Sequence, residues 1–77
     1  MELADRVQLI VQQFLAARPE DAAWLRGAVN SEWNAAYFRC LEYVVPRVGK
    51  PEDWHDRLVH RVRVVDCVRG LLKTFSR

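Results

Sequence analysis

Two segments of this chain announce the start of a helix in nearly the same residues, Arg18-Pro19-Glu20-Asp21 and Lys50-Pro51-Glu52-Asp53. Proline suits the first helical position, where its missing N–H would have had no partner. The acids that follow sit where the positive end of the helix dipole favours negative charge. A tryptophan follows each start, Trp24 and Trp54, ready to pack the new helix on its neighbours. The flanks do not match beyond the shared residues, so these are two helix starts and not a structural repeat.

Hydrophobic spacing fills in the rest. Leu3, Val7, Ile10, Val11 and Phe14 recur at helical intervals over about 2–17, with Leu15 extending the stripe and Leu9 off it. A short second helix covers about 19–28, with Ala22, Leu25 and Val29 on one side and Trp24 pointing away. Asn30-Ser31 offers an N-cap for a third helix, with Glu32 in its first turn. That helix places Trp33, Ala36, Tyr37, Cys40, Leu41 and Val44 on one face and Phe38 at its edge. Pro46 predicts a frayed end there, and Val48-Gly49-Lys50-Pro51 a turn. The last helix, about 51–75, is read with Trp54, Leu58, Val62, Val65, Val68, Leu72 and Phe75 as its core stripe. Gly70 suggests a bend or close packing near its end. Val62–Val65 is rich in valine, but no partner strand exists elsewhere.

The expected fold is therefore all-α: one helical domain over residues 1–77, a compact irregular bundle of four main helices. The count becomes five or six if the first or last helix is broken. Half of the residues are apolar, with three tryptophans, two tyrosines and three phenylalanines. That supplies the core that a chain burying roughly 60% of its unfolded surface needs, and it argues against disorder. The chain starts inside a helical pattern and ends just after one, as an excised domain or a small complete protein would. Two cysteines, Cys40 and Cys67, make no disulfide framework and point to reduced thiols in a cytoplasmic protein. No run of about 18 apolar residues could span a bilayer, and the first residues lack the basic start and apolar stretch of a signal peptide.

Catalytic and metal chemistry find little purchase. His55 and His60 are five apart, where two ligands on one helical face want three or four. Cys40 falls in a core stripe. Cys67 falls on the polar side of the last helix near Arg63, which would lower its pKa, but no orienting group or pocket is evident. The acids cluster at helix starts, and three scattered glycines form no phosphate-binding loop. The expectation is a non-enzymatic protein with no metal and no cofactor.

Charge is uneven. Residues 1–49 carry five arginines against six acids, and residues 50–77 carry seven arginines or lysines against four. A window from Pro19 to Phe38 partly resembles the helix-turn-helix motif, with Ala23 at its small position and Gly27 at its turn. Arg26 stands where an apolar residue is usual, and Arg39 is the lone cation of the reading helix against Glu32 and Glu42. Phosphate contacts need more positive charge than that. The last helix carries the most suggestive surface: Arg57 and Arg61, four apart, share a sector with Trp54, Leu58 and Val65, while Arg63 lies on the remaining circumference. Both arginines are too costly to bury unpaired, and Arg and Trp are enriched at binding hot spots. This is either an ordinary solvated face or a basic, aromatic-containing patch for an acidic partner face; on the second reading Trp54, Arg57, Arg61 and Arg63 are the expected contacts to a protein partner or to a second copy. The reading is an adaptor or recruitment module, and the alternative a small helix-turn-helix-like DNA-binding regulator. One concrete version is a death-fold-like domain of the CARD type, part of a larger effector or signalling protein, which recruits by homotypic contact between acidic and basic faces. That analogy is at the level of fold and rests on no motif; death folds usually have six helices.

Overall fold

The computed structural model describes residues 2–49 and 57–76. Pro19 makes the first division. Its ring disfavours helical backbone at the preceding residue, and Arg18 sits at φ −129°, ψ 73°. A single residue therefore separates α1 (Leu3–Ala17) from α2 (Pro19–Arg26). Arg18 serves both helices: its N–H donates to the Phe14 carbonyl at 2.9 Å, and its own carbonyl accepts from the Ala22 N–H at 3.0 Å. Helix α2 stops two residues earlier than expected, with the Gly27 N–H on the Trp24 carbonyl at 3.1 Å. Val29, expected on its apolar side, is exposed beyond that end.

Asn30 caps α3 (Ser31–Val48), its side-chain oxygen accepting the Trp33 N–H at 3.0 Å. The expected fraying at Pro46 does not occur, and the helix continues to Val48. So close to the end, proline forfeits just one backbone bond, and the final turn is held by side chains. Val48 is fully buried, and its carbonyl accepts from the Arg6 guanidinium of α1. Arg47 lies 3.7 Å from the centre of the Tyr43 ring and donates to the Tyr43 carbonyl at 2.8 Å. Gly49 then turns the chain at φ 91°, a region that side-chain-bearing residues rarely enter. Its carbonyl accepts from His60 Nε2 at 2.9 Å, so that nitrogen carries the proton. His60, expected at the surface, thus ties α4 (Arg57–Phe75) to the end of α3 through an exposed hydrogen bond.

The second Pro-Glu-Asp start, Trp54 and His55 lie outside the described residues. Gly70 provides no close approach: a Cβ there would meet nothing within 4 Å, and α4 runs through it. All four helices touch one another, and α1 and α3 carry most of the packing. The core comprises Val7, Val11 and Phe14 of α1, Leu25 of α2, six residues of α3 from Trp33 to Val48, and Val64, Val68 and Leu72 of α4. Phe14 meets Tyr43 in a tilted ring pair with centroids 5.5 Å apart. Trp33 stacks on Tyr37, also at 5.5 Å. Among the described residues there is no strand, and no helix is long and apolar enough to cross a membrane.

Candidate interaction surface

Helix α4 has two apolar stripes, and the core takes one of them. Val64, Val68 and Leu72 recur every fourth residue and are buried, with Leu71 and Phe75 packed beside them. Leu58 and Val62, expected in that same stripe, are 74% and 51% exposed. They lie about 80° and 120° round the helix from Val68. The expected stripe thus joined two different faces of one helix. The physical reason is what each face meets further along. From Leu58, Val62 and Val65 the next turn reaches Arg69, whose charge is too costly to bury unpaired. From Val64 and Val68 the face stays apolar to Phe75.

The stripe left outside borders a groove along the α3–α4 seam. One section, of about 380 Å³, is lined by Phe38, Leu41, Glu42, Val45 and Pro46 from α3 and by Arg61 and Val65 from α4. It shares Val45, Pro46 and Arg61 with a second section of about 340 Å³, reaching Gly49, Arg57, His60 and Val64. Phe38 is 60% exposed at one end. Of the residues expected to bind a partner, Arg57 and Arg61 come together here, both exposed. Arg63 is exposed too, but two residues beyond Arg61 it stands about 200° round the helix. Trp54 lies outside the described residues. Phe38 and Glu42 were not expected to contribute. The signal for Phe38 was available: a large apolar ring off the stripe of an amphipathic helix needs either a neighbour or a partner.

Asp21, expected only to complement the helix dipole, is 4% exposed. Its Oδ1 accepts from Arg39 Nε at 2.9 Å and from the terminal nitrogen Nη2 at 2.5 Å. Arg18 approaches Oδ2 to 3.4 Å without a hydrogen bond to it. The hydrogen bond to Asp21 is the main reason that the Arg39 guanidinium binds its proton more tightly than usual. Arg39, the cation expected to serve the would-be reading helix, is therefore engaged in joining α2 to α3.

The thiols differ from each other. Cys40 is fully buried, as its stripe implied, and burial pushes its pKa up to about 12, with a smaller push from Asp21. Such a thiol is not a nucleophile at neutral pH. Cys67, expected on the polar side, is half-buried and packed against the core, because it lies within one turn of both Val64 and Leu71. Tyr37 keeps its phenolic proton above the ordinary range, chiefly through burial, while the nearby Arg69 acts in the opposite direction. Among the described residues no three His, Cys, Asp or Glu side chains form a group that could hold a metal ion. Compared with known proteins, the chain matches no family model, no curated protein and no solved structure.

Proposed function

We propose that this chain is a non-enzymatic protein–protein interaction module that docks a partner on the α3–α4 face. The observation that carries the reading is the second apolar stripe of α4. Leu58 and Val62 continue the Val65 line out of the groove, and Phe38 stands exposed on the facing helix. Apolar surface of this kind, rimmed by charge, marks docking sites. Arg57 and Arg61 on the rim have the side chain most suited to anchoring a partner, a broad cation able to stack and to form paired hydrogen bonds. Two of the chemically capable groups are engaged: His60 holds the Gly49 carbonyl, and Cys40 is a buried thiol. An adaptor role fits these features. Four helices are described where a death fold usually has six, which gives that analogy no support. The DNA-binding alternative is less favoured because Arg39 is held against Asp21.

The test is selection of a random peptide library on the folded protein, with Phe38→Asp/Val62→Asp as counter-screen. Both positions are more than half exposed, so circular dichroism should show the variant folded. Peptides that bind the wild type and lose affinity for the variant support the reading. A selection that yields only peptides indifferent to the two changes, or none, refutes it.

A further inference from the structure

Resting on that reading of the face, we propose that the occupant of the α3–α4 groove is a second copy of this chain, related by a two-fold axis running along the seam. The section lined by Phe38 and Val65 carries one charge of each sign, Glu42 on α3 and Arg61 on α4, while Arg57 lines the adjoining section. Among the described residues neither makes an ion pair. A partner helix of purely acidic character would meet Glu42 unfavourably, and a purely basic one would meet Arg61. The best occupant has both signs at the same spacing, and this face itself has them.

A two-fold axis along the seam lays α3 of one copy over α4 of the other. Glu42 then faces the second copy's Arg61, and Arg61 faces the second copy's Glu42, so that one interaction is made twice, as an isologous contact requires. The same rotation sets Phe38 opposite the second copy's Val65, because those two residues line the same section of groove.

The experiment is sedimentation velocity on the full chain over a concentration series, for the wild type, Glu42→Arg, Arg61→Glu and an equimolar mixture of the two variants. Circular dichroism checks that each variant is folded. The wild type should dimerise, and each single reversal should weaken the dimer by at least about tenfold, since it sets two like-charge pairs against each other. The mixture should recover wild-type affinity, because a heterodimer of the two variants restores both opposite-charge pairs. A dimer that ignores both reversals, or a mixture that recovers nothing, overturns the proposed two-fold. A wild type that stays monomeric at hundreds of micromolar overturns the second copy as occupant. Peptides that bind through Phe38 and Val62 would in that case still uphold the docking reading.

Discussion

Val62 and Val64 are the same side chain, two residues apart on one helix, and the fold gives them opposite environments. Val64 is 1% exposed and Val62 51%. Truncating each to alanine separates the two faces of α4. At Val64 two buried carbons are lost, worth about 1.6 kcal/mol in transfer. A partly collapsed cavity adds about 0.5 kcal/mol, and the better helix propensity of alanine returns about 0.5 kcal/mol. The net cost is about 1.6 kcal/mol. At Val62 roughly half of the transfer loss applies and the cavity does not, so propensity nearly cancels it and the change stays within about 0.3 kcal/mol. For a chain of this length those values convert to a fall of roughly 10 °C in Tm for Val64→Ala and at most about 2 °C for Val62→Ala. Thermal and urea unfolding followed by circular dichroism would measure both. Dilute protein is needed, so that any self-association through Val62 does not enter the result. Equal losses, or a larger loss at Val62, would refute the assignment of the buried face.

Two further outcomes follow from single residues. Gly70→Ala should stabilise the protein by about 1 kcal/mol, because the added methyl meets nothing and alanine is the better helix former; an unchanged or lowered Tm would contradict a straight, open helix there. Alkaline pH should destabilise the fold through Cys40. Its ordinary pKa of 9.0 is raised to about 12 in the folded protein, so above 9.0 the unfolded chain releases a proton that the folded chain keeps. The unfolded state then binds fewer protons, and stability, full below 9.0, falls as pH rises towards about 12. From about pH 9 to about pH 10 the wild type should lose about 1 kcal/mol more than Cys40→Ala; parallel losses in urea titrations would show that this thiol is not shielded.

The helices were legible because their signals are local. Pro19 with its two acids, the Asn30 cap, and the stripe through Val7, Val11 and Phe14 each act within a turn or two, and all appear where spacing put them. The rotation of α4 was harder to read, because apolar residues occur on both of its sides and only the position of Arg69 separates them. Pro46 misled for a related reason. A rule about isolated backbone predicts an end, while anchors from Arg6 and from the buried Val48 lie 40 residues or more away or depend on tertiary packing. Asp21 looked complete as a dipole partner, and its burial depends on Arg39, 18 residues on. The exposed stripe emerged by subtraction: Leu58 and Val62 had been counted as core, and their exposure appears only once Val64, Val68 and Leu72 are seen to fill it.

The end of α3 is secured from both directions of the chain, by Arg6 from the first helix and by His60 from the last. Detaching either terminal helix breaks a side-chain hydrogen bond to a carbonyl at that one place. Subglobal opening of α1 should therefore lower hydrogen-exchange protection at the start of α4 as well, although the two segments are far apart in sequence. The Arg6 link also spans 42 residues, a non-local closure that an assembling chain acquires late. Early folding is then expected in the neighbouring α2 and α3, with the outer helices locking together last.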